Sequence, residues 1–331
     1  MALRNLITDI PGLRVGHAGD GKLGSGVTAV VFDAAVVASV DVRGGGPGTR
    51  ETALLDPAQT VEGIDAIVLA GGSAFGLDAA SGVQAFMREQ GRGFRIRDAV
   101  VPIVPAAILF DLLNGGDKNW GRYPPYRELG YEAAKNAGAD VALGSVGAGL
   151  GATTATLKGG VGSASAMTRD GVTVGALVVV NAVGSTTIGD GPHFWAAPFE
   201  QNKEFGGRGL PAQVTPSDLA LRAKGGPGEN TTIAVIATDA RLSKAQCNRL
   251  AVMAQDGFAR AIYPVHTPLD GDVVFAAAMG TKSLADPHYG LAELGMVAGN
   301  VMARAIARGV YEASALPFAG SLPSWKDKFK G

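Results

Sequence analysis

At Thr231 the sequence passes from a long aperiodic stretch straight into a core strand, a junction that few folds accommodate. Residues 188–230 show neither a 3.6 nor a 2.0 period and are rich in Gly and Pro. A loop that long inside a compact domain is uncommon unless it is functional or disordered. From Thr231 to Thr238 the run Thr-Thr-Ile-Ala-Val-Ile-Ala-Thr has the β-branched, apolar density of a strand buried on both faces. A hydroxyl residue therefore stands first on a core strand, with Gly228-Glu229-Asn230 as the tether behind it.

That placement suits an autoprocessed N-terminal nucleophile. The Thr231 hydroxyl attacks the Asn230 carbonyl, the amide becomes an ester, and water releases a new N-terminus. Hydroxyl and α-amine then share one residue. An α-amine, with a pKa of about 7.7–8.0, takes the hydroxyl proton near neutral pH, whereas an amide nitrogen cannot. This is the Thr–N-terminal-amine form of nucleophile activation. Asn230-Thr231-Thr232 fits an ordinary turn into a strand equally well, and the local pattern leaves both readings open.

Taking ~150 residues per domain as a guide, 331 residues allow one large domain or two moderate ones, and an apolar content of 47% fills a sizeable core. A formal charge of −1 with interspersed signs lacks the footprint of a nucleic-acid binder, so a small or neutral partner is expected. Cys247 is the single cysteine, which excludes an intramolecular disulfide and suits a reducing compartment. The first nine residues lack the apolar core of a secretory signal, and no segment reaches the ~18 apolar residues of a membrane span. A cytoplasmic protein without a membrane partner is the expectation.

Along the chain, Thr28–Val42 carries two β-rich runs joined at Asp33-Ala34, a hairpin signal. The glycines of Arg43-Gly44-Gly45-Gly46-Pro47-Gly48-Thr49-Arg50-Glu51 either turn backbone N–H groups toward a ligand or form a charged surface loop. Ile64–Ala70 reads as a buried strand. It leads through Gly71-Gly72-Ser73-Ala74-Phe75-Gly76 into a helix with Leu77, Ala80, Val83, Phe86 and Met87 on one face. That turn is not Gly-x-Gly-x-x-Gly and no ribose acid follows, so helix-terminal amides aimed at a substrate are favoured over a dinucleotide. Pro105–Leu113 resembles a short helix, Glu128–Ala137 a second, and Tyr123 and Tyr126 lie in a polar loop between them.

Lys158 is the only charged side chain between Asp140 and Arg169, either solvated at a turn or held in a pocket. Asn181 ends the apolar strand Val172–Val180, as a turn residue or as an oxyanion donor. Asp270-Gly271-Asp272 precedes the strand Val273–Ala278; two carboxylates there orient an amine or form a solvated turn, and are too few for a metal site. Ser243 is a helix-cap candidate, Leu291–Tyr311 a long helix, and the polar tail Ser321–Gly331 is expected to be loosely held.

Five motifs in order, Thr8 to His17, Arg43 to Glu51, Leu69 to Leu77, Val178 to Asn181 and Asn230 to Ile233, make the chain resemble the DmpA-type aminopeptidases and nylon-oligomer hydrolases. The resemblance spans nearly the whole chain. It implies a single αββα sandwich of the N-terminal-nucleophile type, an α/β fold cut into fragments 1–230 and 231–331 that stay associated and assemble into a tetramer of heterodimers. It also implies an amide hydrolase working without metal or organic cofactor on small peptide or amide substrates. Carried over by position, Thr231 is nucleophile and base, Lys158 the lysine near it, Asn181 the oxyanion-side asparagine, and Asp270 with Asp272 the acidic pair. Tyr123, Gly72, Ser73 and Phe75 are its weaker substrate-pocket positions. An ornithine acetyltransferase-like acyltransferase and a processed, non-catalytic binding protein are the rival readings.

Overall fold

A computed structural model describes residues 3–224 and 230–329; the Gly228-Glu229 part of the tether and the last two residues of the tail lie outside them. The strands are β1 (Leu13–Asp20), β2 (Ser25–Val42), β3 (Thr49–Arg50), β4 (Gly63–Ala70), β5 (Phe94–Ile96), β6 (Ala99–Val101), β7 (Ala106–Ile108), β8 (Val161–Met167), β9 (Thr173–Asn181), β10 (Thr231–Ala240) and β11 (Val273–Lys282). The helices are α1 (Ala79–Glu89), α2 (Tyr126–Lys135), α3 (Lys244–Ala254), α4 (Asp256–Ala259), α5 (Tyr289–Tyr311) and α6 (Trp325–Phe329).

Hydrogen bonds run in the order β3-β7-β4-β2-β11-β10-β9-β8, with β1 on the side of β2 and β5-β6 apart as a small hairpin. Strand β2 runs through both layers of this one folded sheet. Its first half pairs with β1 and β4, its last residues pair with β11, and the register slips between Val31 and Val36. Asp33, Ala34 and Ala35 are exposed at that slip. The hairpin expected at Asp33-Ala34 is thus one long strand that turns a corner, because β4 pairs on both sides of the slip while β1 takes the first half and β11 the last residues, so neither half needs the other as a partner.

Three cores separate four layers. Strand residues alternate between them, as a period of two requires. Ile233, Val235 and Ala237 of β10, with Leu177 and Val179 of β9 and Phe275 of β11, face Val30, Phe32, Ile67 and Leu69 of the other sheet. Their neighbours Ala234, Ile236, Val178 and Ala276 pack on α3 and α5. Val27, Ala29, Val31 and Val68 cover α1 and α2. The architecture is therefore αββα, and the apolar runs reflect strands buried on both faces.

Two further segments depart from the sequence reading. Ala106–Ile108 is strand, because it completes the sheet between β3 and β4 in parallel register with Val68–Ala70. The tail is held down: Trp325 is buried, stacks on Phe194 at 5.8 Å and donates its indole N–H to the Pro192 carbonyl at 3.1 Å. Ser243 caps α3 as expected, accepting the Gln246 N–H at 3.2 Å. No helix among the described residues is long and apolar enough to cross a membrane.

Candidate active site

Thr231 opens β10 opposite Asn181, the last residue of β9. Both share the parity of the inward-facing residues on their strands, so both side chains project into the space between the sheets at its open end. Thr231 is buried, and its hydroxyl donates to the carbonyl oxygen of Asn230. The same carbonyl accepts the Gly271 N–H at 2.9 Å. A carbonyl receiving two donors is polarised in the direction that nucleophilic attack requires.

Gly271 reaches that carbonyl because the Asp270-Gly271-Asp272 turn runs beside the junction, where Asn230 bridges Asp270 in parallel. Each carboxylate holds backbone around it. Asp272 accepts the Thr232 N–H at 2.8 Å and the His266 N–H at 3.2 Å, with His266 Nδ1 2.8 Å from the same oxygen. Asp270 accepts the Val183 N–H at 3.1 Å, the Thr267 N–H at 3.1 Å and the Thr267 hydroxyl at 2.9 Å. Burial, with the Asp272 charge behind it, pushes the Asp270 carboxyl above the usual carboxylate range. The turn is also buttressed by the glycine loop. Arg43 and Gly44 N–H donate to the Asp272 carbonyl, at 3.0 and 3.3 Å, and Gly46 N–H to the Asp270 carbonyl at 2.8 Å. Those amides face protein backbone, neither a ligand nor solvent.

Asn181 links the two sheets. Its Nδ2 donates to the Phe110 carbonyl at 3.1 Å, and its Oδ1 accepts the Thr153 N–H at 3.0 Å and the Lys224 ammonium at 2.8 Å. Lys158 stands one step further off. Its Nζ donates to the carbonyls of Gly149, Ala152 and Gly159 at 2.9, 2.7 and 2.7 Å. Three acceptors match the three N–H bonds of an ammonium. Complete burial pulls its pKa down to about 7, and the nearby Lys224 charge acts in the same direction against Asp111. The group is poised between its two protonation states near neutral pH.

A cavity of about 300 Å³ opens beside these groups, with Asp111, Thr153, Lys158 and Lys224 among its polar lining and Phe110 and Leu316 among its apolar walls. Thr231 does not line it; Asn181 and Thr153 connect the two. Asp111 is buried, its Oδ1 accepts the Gly72 N–H at 2.8 Å, and burial raises its carboxyl above the ordinary range. Gly72 has φ +86°, and a Cβ there would lie 2.1 Å from the Tyr126 ring, so only glycine lets this amide reach Asp111. Ser73, Phe75 and Tyr123 are not at the cavity. Ser73 N–H is tied to the Leu109 carbonyl at 2.9 Å, and Phe75 and Tyr123 are 50% and 78% exposed. No group of three or more His, Cys, Asp or Glu among the described residues is arranged to hold a metal ion.

Compared with known proteins, the sequence matches peptidase family S58 over residues 5–321. The chain belongs to that family. An uncharacterized aminopeptidase of Mycobacterium tuberculosis is 46% identical to this family member over 349 residues, covering 99% of this chain and 98% of the relative. The 6-aminohexanoate-oligomer endohydrolase of an Agromyces species is 29% identical over 282 residues, 81% of this chain and 73% of that protein. The fold is shared with the Burkholderia β-aminopeptidase, at a TM-score of 0.72 and 23% identity over 99% of this chain and 92% of that one. As an S58 member the chain is a hydrolase of peptide or amide bonds.

Sequence reasoning missed four groups that meet at this candidate site: the Gly271 amide, His266, Thr153 and Lys224. Gly271 was visible only as a spacer between two aspartates. His266 carried no periodic signal. Thr153 and Lys224 lie in stretches without periodicity, and nothing local marks them as partners of Asn181.

Proposed function

We propose that the chain is a self-activating amide hydrolase that cleaves its own Asn230–Thr231 bond and then carries the substrate acyl group on Thr231. The observation that supports this reading is the Asn230 carbonyl, which meets the Thr231 hydroxyl and the Gly271 N–H together. In self-cleavage Thr231 Oγ1 bonds to the Asn230 carbonyl carbon, the C–N bond breaks, and the hydroxyl proton ends on the departing Thr231 nitrogen. Water then hydrolyses the ester, giving an Asn230 carboxylate and a free Thr231 amine.

In turnover that amine takes the hydroxyl proton, Oγ1 attacks the substrate amide, and the proton passes to the leaving amine. Water enters by the same route to release the acid. The Gly271 amide, which already serves the Asn230 carbonyl, donates to the oxyanion of the substrate, and Asn181 supports the same side. Asp272 keeps the strand in register by holding the Thr232 N–H. Aminoacyl amides and short peptides are the substrate class, in keeping with the aminopeptidase named among the relatives.

Mass spectrometry of the purified chain tests the proposal. Fragments 1–230 and 231–331 are expected from the wild type, an intact chain from Thr231→Ala, and cleavage again from Thr231→Ser. Hydrolysis of aminoacyl p-nitroanilides is expected to fall by at least about 10³-fold in Thr231→Ala. An uncleaved wild type, or unimpaired turnover by Thr231→Ala, defeats the reading.

A further inference from the structure

Lys224 comes from the segment that ends at the Asn230–Thr231 bond, yet its ammonium lies in the cavity beside Asn181. The backbone fixes it there. Its N–H donates to the Val183 carbonyl at 3.0 Å, and its own carbonyl accepts Asn230 Nδ2 at 3.0 Å. Among the described residues the ammonium meets three oxygens: Asn181 Oδ1 at 2.8 Å, and the Thr153 carbonyl and hydroxyl at 3.0 Å each. All three are acceptors, as a group with donors only requires. Here two of the oxygens belong to one residue, Thr153, whose N–H also fixes Asn181.

We propose that Asn181 Oδ1 with the carbonyl and hydroxyl of Thr153 forms the subsite for the substrate's free ammonium group, and that Lys224 occupies it while the chain is uncleaved. The word substrate rests on the Thr231 reading above; the ammonium subsite does not. While the Asn230–Thr231 bond is intact, Asn230 is held at the start of β10 and its Nδ2 pins the Lys224 carbonyl, so a free amine competes poorly with an ammonium already anchored in the same chain. Cleavage frees Asn230 and with it one of the two backbone anchors of Lys224, and an incoming amine can take its place. Because Asn181 stands directly opposite Thr231 in the β9–β10 register, an amine held on its Oδ1 must sit close to the scissile carbonyl. Short α- or β-aminoacyl amides satisfy this; a 6-aminohexanoyl group, with its amine five methylenes away, does not. Apolar walls at Phe110, Leu113, Leu316 and Leu322 suit an aliphatic side chain on that acyl group.

Calorimetry on the full chain carrying Thr231→Ala tests this with L-leucinamide as probe and N-acetyl-L-leucinamide as the control lacking an ammonium. Adding Lys224→Met is expected to tighten L-leucinamide binding at least tenfold and to leave the acetylated control unchanged. Lys224→Arg, which keeps a cation on the tether, is expected to bind like the parent. Adding Thr153→Val to the Lys224→Met chain is expected to cancel the gain. Unchanged L-leucinamide binding, or equal tightening of both probes, overturns the proposal. Should Lys224→Met fail to fold, Thr153→Val in the otherwise wild-type enzyme decides. The expected result is a KM for L-leucine p-nitroanilide raised at least fivefold with kcat within twofold, and an unchanged KM overturns the subsite. Binding to a chain without the Thr231 hydroxyl is independent of turnover, so failure of the subsite and failure of the Thr231 mechanism give different results.

Discussion

Lys158 shows how a single buried charge ties the site to pH. Burial lowers its pKa from 10.5 to about 7. Between about 7 and that ordinary value the unfolded chain binds more protons than the folded one, so folding stability rises with pH across that window. Below pH 7 both states are protonated and the cost of the buried ammonium is fully present. The melting temperature of the Thr231→Ala chain, which holds the sample in one covalent state, is therefore expected to climb by a few degrees between pH 7 and 9. Lys158→Met is expected to melt lower at both pH values, since the Gly149, Ala152 and Gly159 carbonyls lose their donor, and to lose the dependence on pH. A Lys158→Met chain that keeps the same rise removes Lys158 as its source. At this scale the sequence was informative about residue type only: Lys158 stood out as a lone cation, but its separation from Thr231 by Thr153 and Asn181 depends on how two loops pack.

Among the elements, the Asp270-Gly271-Asp272 turn contributes most to the geometry of the nucleophile. A Cβ on Gly271 would meet the Gly46 carbonyl oxygen and Thr231 Oγ1, each at 2.7 Å. Gly271→Ala must therefore move the turn away from Asn230 and weaken the N–H bond to its carbonyl. Self-cleavage is expected to slow by about 10²-fold, the usual cost of losing one oxyanion donor, with the fold retained. A time course of fragment appearance on denaturing gels measures it, and a wild-type rate excludes the role given to the Gly271 amide. Buried strands and the long helix were legible from apolar density and composition alone, as β9, β10, β11 and α5 illustrate. The failures, β2 read as a hairpin and β7 read as a helix, are segments whose state was set by partners distant in sequence: β11 for one end of β2, and β3 with β4 for β7.

For the whole molecule, the order β2-β11-β10-β9 places two strands from beyond residue 230 between two from before it. Helix α5, also from the later part, covers β8 and β9 from the earlier part. Fragments 1–230 and 231–331 would thus share one sheet and one core, and parting them would expose residues such as Ile236, Val178 and Met302 together. The fragments of the cleaved protein are expected to co-elute in size-exclusion chromatography at every salt concentration and to separate only where denaturant also abolishes the far-UV circular dichroism signal. Separation under native conditions contradicts the interleaved arrangement.

The sequence by itself located the core strands and the abrupt entry into one of them at Thr231, because apolar density and a change of character between neighbouring residues are local properties; the layered αββα class followed from resemblance across five separated motifs. Only the tertiary structure decided what surrounds that threonine. Gly271 reaches the Asn230 carbonyl through the parallel placement of the turn before β11, and Asn181 faces Thr231 through antiparallel register. Lys224 finds Thr153 through two loops that meet at the mouth between the sheets. Contacts of that kind are fixed by register and layer packing, to which a residue's immediate neighbours in the chain contribute almost nothing.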